Sequence, residues 1–329
     1  PAEAGDDGGD DGESSKVTRA LVDALRAFST PQWWLIGSED AQARSAIRKR
    51  IKPEEFKEKC TERHAQMRKV YESTMSQDSE QRWLRKVSSE GTAGDRVASL
   101  TMLIQVCPVF ATPYIKSLMT MAARTERSDS IMAVDALKDL FVSTLLPDRK
   151  LKTFAQMEAV APKALGKVQW TQLSVTAFFE DYLKTAFAGF IHILSQAAHS
   201  SVAFFKTKAV RTAYELLAAK PEQERALLQL LVNKFGDHAA KVSSNVSFHL
   251  KHLLEKHPVM KLVVVKEVEA FLARKNLTHN SAYVAVMFLS EMPLLKRADA
   301  AVASELVKLF VSRLELALQP KPRPAKAEP

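Results

Sequence analysis

Residues 221–258 contain two apolar stripes at helical spacing, separated by a break at Gly236 and Asp237. The stripes consist of Leu227, Leu231 and Phe235, and then of Val242, Val246, Leu250, Leu253 and Leu254. This recurrence every three to four residues places each set on one face of a helix. Pro258 cannot continue the second helix. Because neither short helix can bury its apolar face alone, the pattern predicts stacked helical neighbours, as in an α-solenoid.

The helical pattern extends over most of the chain, and no alternating strand pattern of useful length interrupts it. The sequence therefore predicts an all-α fold, an α-solenoid of HEAT/armadillo-like helical pairs. Within this array, Asp95, Asp129 and Asp237 are expected to cap the N-terminus of the second helix of successive pairs, because a carboxylate accepts hydrogen bonds from free backbone N–H groups there.

Changes in composition divide the chain into four expected segments. These are a disordered acidic tail at 1–15, N-terminal helices with an aromatic docking segment at 16–75, the helical-repeat domain at 76–318, and a disordered Pro/Lys-rich tail at 319–329. Trp33 and Trp34 form the docking segment, and we expect them to pack on the helical body rather than to stack on a base. The helix that begins at Pro53 carries few large apolar residues, so we expect it to pack lightly along the surface.

Composition limits the classes of protein to which the chain can belong. Hydrophobic residues make up 46% of the 329 positions, enough for a large core or a long array. No apolar run reaches the roughly 18 residues of a membrane span, and no signal peptide opens the sequence. Cys60 and Cys107 lack CxxC spacing, which fits a reducing compartment and gives no zinc site. Because the first residue is Pro, we expect a segment of a longer protein.

The net charge of +9 is unevenly distributed. Residues 1–15 contain six acidic residues and no basic residue, so residues 16–329 carry +15. A basic folded body behind an acidic tail indicates a polyanionic partner, most simply a nucleic acid. The alternative is a protein that lies among ribosomal or nuclear components without contacting RNA directly.

No pattern of residues indicates catalysis. The phosphate-binding glycine motifs and the G-x-S-x-G elbow are absent. Glu180 and Asp181 are adjacent on a helix and point about 100° apart, so we interpret them as a surface acid pair. His249, His252 and His257 lie close together in sequence, but metal binding would need a third ordered ligand and partners for it. We therefore expect no enzyme, no metal, no cofactor and no small-molecule substrate.

Clusters of basic residues are the candidate sites for RNA or phosphate contact. They are Arg48, Lys49 and Arg50; Arg149, Lys150 and Lys152; and Lys206, Lys208 and Arg211. Such clusters can follow a phosphate backbone with little sequence preference, although any one of them is more often a solvated helix face. The 149–152 cluster lies at a helix junction, after the stop at Pro147, and is the strongest candidate. Interleaved aromatic platforms for stacking bases are not evident in the sequence.

Six sequence blocks together carry a family resemblance. They are WWLIGS (33–38), GTAGDRVASLTMLIQVCPVF (91–110), ALKDLFVSTLLPDRKLKTF (136–154), AFFEDYLK (177–184), PEQERALLQLLVNKFGDHAAKVSS (221–244) and HPVMKLVVVKEVEAFLARKN (257–276). In this order they resemble the CCAAT/enhancer-binding protein zeta family, ribosome biogenesis factors of the nucleolar complex and maintenance-of-killer type. The resemblance covers about residues 76–317, with agreement upstream at WWLIGS.

The resemblance implies a nuclear and nucleolar helical-repeat scaffold that acts in early assembly of the large ribosomal subunit. It implies a heterodimer with a second nucleolar complex protein, and association with the pre-60S particle and its pre-rRNA. A transcriptional role in CCAAT binding is also attached to the family name. The family pattern includes a further C-terminal helical domain, whereas this sequence runs into PKPRPAKAEP after residue 318.

Three functional hypotheses follow from the sequence. The leading one is a non-catalytic scaffold that binds a partner protein and pre-rRNA in the nucleolus. The second is a CCAAT-type DNA-binding transcriptional activator, which lacks a helix-turn-helix, zinc or basic-zipper pattern to present base-reading side chains. The third is a helical adaptor that binds only protein. Neither the face used by the partner nor the RNA segment contacted can be read from the sequence.

Overall fold

The computed structural model describes residues 25, 27, 28, 30, 32–37, 50–75, 78–124, 127–295 and 297–318. The predicted acidic tail and Pro/Lys tail, together with Arg48 and Lys49, lie outside these residues. Where the structure describes the chain, regular structure is helical, apart from one antiparallel bridge between Arg50 and Val160. The predicted all-α class is therefore confirmed. Among the described helices, none combines the length and the apolarity needed to cross a membrane.

The main helices are numbered in chain order. They are α1 Pro53–Met75, α2 Ser79–Glu90, α3 Ala93–Val106, α4 Thr112–Ala122, α5 Ser128–Leu140, α6 Lys167–Ala197, α7 Ala203–Ala219, α8 Glu224–Asn233, α9 Ala240–Lys256, α10 Lys261–Leu272, α11 His279–Ser290 and α12 Ala300–Leu318. The chain divides into two compact units. The first unit extends to Phe205 and takes in Ala219–Gln223, and the second comprises Lys206–Ala218 and the residues from Glu224.

The helix α1 is a core element of the first unit. Its residues Phe56, Cys60, His64 and Met67 recur at helical spacing and are all buried. The Phe56 ring meets the rings of Phe154 and Trp170 edge-on, at centroid distances of 6.0 Å in both cases. The expectation that this helix packs lightly along the surface is wrong. A buried face formed partly by cysteine and histidine is not evident when only large apolar residues are counted.

The aspartates expected to cap helices lie at other positions. The N-cap of α3 is Thr92, whose hydroxyl accepts from the Asp95 N–H at 3.3 Å, so Asp95 lies in the first turn. Asp129 also lies inside its helix, which begins at Ser128. Asp237 accepts from the Ala239 N–H at 3.0 Å, before α9 begins at Ala240. The capping prediction is wrong for Asp95 and Asp129. Both carboxylates lie in the first turn of their helices instead, where they interact favourably with the positive end of the helix dipole.

The apolar stripes that opened the sequence analysis form part of the core of the second unit. Both sets of residues, on α8 with the turn that follows it and on α9, are buried. The break falls after Asn233, where α8 passes into a 3-10 turn over Lys234–Gly236. The 3.6-residue period alone was sufficient to identify these two faces.

Candidate functional site

The strongest basic cluster lies on a non-helical segment, which we call the junction loop, residues 146–153. It follows α5 and a single π turn over Phe141–Leu145, and it ends where a 3-10 turn begins at Phe154. Pro147 has no N–H to donate, so it favours the end of the helix. Leu146 and Leu151 are buried, whereas the side chains between Asp148 and Lys150 are exposed. The loop is therefore held to the body of the first unit at both ends.

Three carboxylates hold the backbone of this region. The Leu151 N–H donates to Glu222 at 2.7 Å, the Lys152 N–H to Glu180 at 2.9 Å, and the Phe154 N–H to Asp181 at 3.1 Å. Glu180 is only 8% exposed. The interpretation of Glu180 and Asp181 as a surface acid pair is therefore wrong. Their side chains do point in different directions, but the backbone from Lys152 to Phe154 passes both carboxylates and donates to each.

The charged side chains of the loop, and two lysines outside it, form specific polar contacts. The Arg149 guanidinium forms a two-pronged pair with the Glu180 carboxylate, with Nη2 lying 3.3 Å from Oε2. The Lys184 ammonium donates to the Leu151 carbonyl at 2.7 Å. Lys220 pairs with Asp148 at 2.7 Å. Arg149 is thus a positioning residue of the loop as well as a surface cation. The exposed side chain of Lys152 forms no ion pair within the described part of the chain.

A cleft of about 310 Å³ lies beside the junction loop in the first unit. It is lined by Trp33, Trp34, Ile36, Arg149, Lys152, Met157, Glu158, Val160, Leu173, Thr176, Ala177 and Glu180. Trp33 is 1% exposed, and its indole N–H donates to the Leu145 carbonyl at 3.0 Å. Its ring also meets Phe179 edge-on at 5.1 Å. Trp34 is half-buried and presents an aromatic surface to the cleft that Lys152 borders.

The other predicted cations do not join this cleft. Arg50 lies in the bridge to Val160, and the structure does not describe Arg48 and Lys49. In the second unit, the Lys206 ammonium lies 3.2 Å from Asp237, which also binds Lys234 at 3.5 Å. Burial disfavours ionisation of Asp237, but the Ala239 N–H and the two lysines outweigh it and lower the pKa of its carboxyl. Lys206 therefore stabilises the start of α9.

Arg211 and Lys208 occupy one face of α7. The Arg211 Nε donates to Glu215 at 2.7 Å, one turn further along the helix. Arg211 is exposed, and Lys208 is half-buried. The sequence analysis missed Glu222 and Lys184 as partners of the junction loop. No local pattern could have indicated them, because the Leu151–Glu222 contact joins residues 71 positions apart.

Glu180→Ala should destabilise the first unit by about 2 kcal/mol, because the part-buried Lys152 N–H loses its acceptor and Arg149 loses its counter-charge. Urea denaturation measures the free energy of unfolding, and amide hydrogen exchange should show faster exchange at Lys152. The control is Glu158→Ala, an exposed acid of the same cleft, which should change the stability by less than about 0.5 kcal/mol. Equal effects of the two substitutions would contradict the anchoring role of Glu180.

Comparison with known proteins finds relatives that share part of this sequence. No family model matches it. It is 35% identical over 233 residues to human CCAAT/enhancer-binding protein zeta, covering 69% of this chain and 22% of that protein. It is 32% identical over 257 residues to Ribosome biogenesis protein NOC1 of Chaetomium thermophilum, covering 73% and 24%. To Nucleolar complex protein 1 of Drosophila melanogaster it is 29% identical over 248 residues, covering 73% and 21%. The chain therefore spans only about a quarter of the length of these relatives.

Proposed function

We propose, on the premise that this chain belongs over its matched segment to the CCAAT/enhancer-binding protein zeta family, that it is a non-catalytic helical scaffold of ribosome biogenesis. The match to proteins whose names contain ribosome biogenesis and nucleolar complex carries the proposal. Large-subunit assembly on the pre-60S particle is the stage that we assign to it. The predicted nuclear and nucleolar localisation agrees with the name of the Drosophila protein.

The HEAT/armadillo-like arrangement is part of this proposal. Consecutive helices pack on one another within the first unit, α2 on α3 and α4 on α5. In the second unit, α10 packs on α8, α11 and α12. Repeated helix-on-helix layers of this kind leave polar ridges and helix ends exposed, where a scaffold binds its partners.

We assign pre-rRNA contact to the exposed cations of the junction loop, chiefly Lys150 and Lys152. The positive charge of residues 16–329 supports a polyanionic partner, and the three carboxylate anchors hold the loop in one conformation before RNA arrives. A pre-ordered loop loses less conformational entropy on binding. Trp34 beside Lys152 offers an aromatic surface to a neighbouring base.

A salt titration of structured rRNA binding tests this assignment. Lys150→Gln combined with Lys152→Gln should make the slope of log affinity against log salt less steep by about 1.4, taking roughly 0.7 for each phosphate contact to an unpaired strand of the rRNA. The matched control is Lys57→Gln combined with Lys69→Gln, two exposed cations of α1, which should leave most of the slope intact. If the wild-type chain has no affinity at low salt, the RNA part of the proposal is wrong.

The same assay addresses the two other hypotheses. A duplex containing CCAAT should compete no better than a scrambled duplex; a clear preference would favour the DNA-binding activator. We also propose a heterodimer with a second nucleolar complex protein. If the lysine variants still associate with pre-60S particles through that protein as well as the wild type does, a protein-only adaptor becomes the better description.

A further inference from the structure

Four aromatic rings form a continuous row on the second unit. Tyr214 of α7 stacks on His249 of α9 at a centroid distance of 4.7 Å, and His249 contacts Phe248 at 5.6 Å. Phe248 in turn lies 4.2 Å from His252. We call these four residues the aromatic row. The row joins residues of two helices, α7 and α9, and the expectation that the sequence has no aromatic stacking platform did not anticipate it.

The outer part of the row faces solvent. Phe248 is 56% exposed, and His252 is exposed beside it. In the inner part, Tyr214 and His249 are half-buried and stack on each other. In the outer part, His252 Nδ1 lies 3.1 Å from the Phe248 carbonyl and donates its proton to it. An exposed aromatic ring that stacks on other rings is the arrangement found where bases stack on proteins.

Cations flank the row along the same helix face. Lys241, Phe248 and His252 share one face of α9 by their spacing, and Lys256 lies at its edge. Lys241 and Lys256 are exposed and about 22 Å apart along the axis. Burial lowers the pKa of the His249 imidazole, and the nearby charge of Arg211 lowers it further. A neutral imidazole can stack without repelling Arg211.

The balance of charge favours a polyanion over an acidic or basic protein segment. Residues 206–218 and 224–318 contain 16 basic and 10 acidic residues. Near the row, Glu215 is paired with Arg211, and Glu255 is the acid on the same face of α9. Stacking surfaces combined with cations on both sides bind single strands, because every base has an aromatic face and every linkage a phosphate.

We propose that the aromatic row is a stacking site for unpaired nucleobases of single-stranded RNA, with Lys241, Lys256 and Arg211 contacting the adjoining phosphates. This inference rests on the proposed function and adds a second contact region and a ligand class to it. In this proposal the junction loop binds phosphates through its cations. The aromatic row binds single strands with accessible bases in preference to duplexes. Phe248 and His252 supply the stacking surface, and Tyr214 and His249 position it.

Fluorescence anisotropy with three probes tests the site: a 12-nucleotide oligouridine, an abasic strand of equal length, and an RNA duplex. Phe248→Ala combined with His252→Ala should weaken oligouridine binding at least 10-fold, in line with measured losses of one stacked base. Binding of the abasic strand should change less than 2-fold, and the salt slope should stay the same, because no phosphate contact is removed. Phe248→Trp, which keeps an aromatic ring at this position, should bind oligouridine as tightly as the wild type does.

The matched control is Tyr283→Ala, which removes another exposed aromatic ring, 60% exposed, from α11 of the same unit. It should leave all three affinities within 2-fold of the wild type. The proposal is overturned if the double variant behaves like this control, or if it loses the abasic strand to the same extent as oligouridine. Loss of co-purifying protein with unchanged RNA affinity would also overturn it and assign the row to a protein partner.

The outcomes separate this inference from the proposed function. If the wild type binds oligouridine and the abasic strand equally well, and the Lys150→Gln, Lys152→Gln variant loses affinity, the scaffold proposal stands and the stacking site is wrong. If the wild type binds none of the probes at low salt, both RNA assignments are wrong.

Discussion

Trp33→Ala should lower the free energy of unfolding of the first unit by about 4 kcal/mol, the size found when a large aromatic side chain is removed from a core. Trp33 is almost fully buried, its indole N–H binds the Leu145 carbonyl, and its ring packs against Phe179. The substitution leaves a cavity, and the Leu145 carbonyl at the end of the π turn after α5 loses its indole donor. Urea denaturation followed by far-UV circular dichroism measures the loss.

Two further variants separate the contributions within this effect. Trp33→Phe keeps an aromatic ring and loses the donor to Leu145, so it should cost about 1–2 kcal/mol for the hydrogen bond and a smaller cavity. Trp34→Ala removes a half-buried neighbour and should cost about 1 kcal/mol. If Trp34→Ala proved as destabilising as Trp33→Ala, the docking of this segment would not depend on the buried indole.

Acidification from pH 6.5 to pH 4 should remove about 3 kcal/mol of stability through His64 alone. Burial lowers the pKa of this imidazole to about 4, with a smaller contribution from Arg68; the hydrogen bond to Val109 acts in the opposite direction. Between its folded pKa and the ordinary value of 6.5, the unfolded chain binds a proton that the folded chain does not. Stability therefore falls as the pH falls through this window, at 1.36 kcal/mol for each unit of difference in pKa.

The contribution of His64 can be isolated with His64→Phe, since carboxylates also titrate near pH 4. The replacement ring can still stack on Phe178, which lies 4.1 Å from the imidazole, but it has no proton to bind. Free energies of unfolding at pH 7 and pH 4.5 should differ by about 2–3 kcal/mol less in this variant than in the wild type. Parallel pH profiles of the two proteins would exclude His64 as the titrating group.

Burial could be predicted from the sequence where the interacting residues lie close together along the chain. The stripes of α8 and α9 repeat within one helix each, so their burial followed from the period. The burial of α1 did not, because Cys60 and His64 complete its inner face and neither scores as a large apolar residue. Residue type alone is a weak guide where a histidine can donate its only N–H to a carbonyl, as His64 does to Val109 at 3.0 Å.

Contacts between distant segments determined what was missed at the candidate sites. Arg149 was identified as a cation, but its partner Glu180 was interpreted as a surface acid, because only folding brings the junction loop against α6. The aromatic row likewise depends on α7 lying beside α9. Charge clusters in a sequence therefore indicate where cations lie. Which of these cations are paired with acids can be determined only from the structure.

The route of the chain limits how this protein can be divided experimentally. The backbone passes between the two compact units three times, after Phe205, after Ala218 and after Gln223. A shortened chain that ends at Phe205 would keep α6 yet lose Glu222, the acceptor for the Leu151 N–H. Deletion endpoints for studying the junction loop should therefore lie beyond Gln223, because the first unit is not one uninterrupted stretch of sequence.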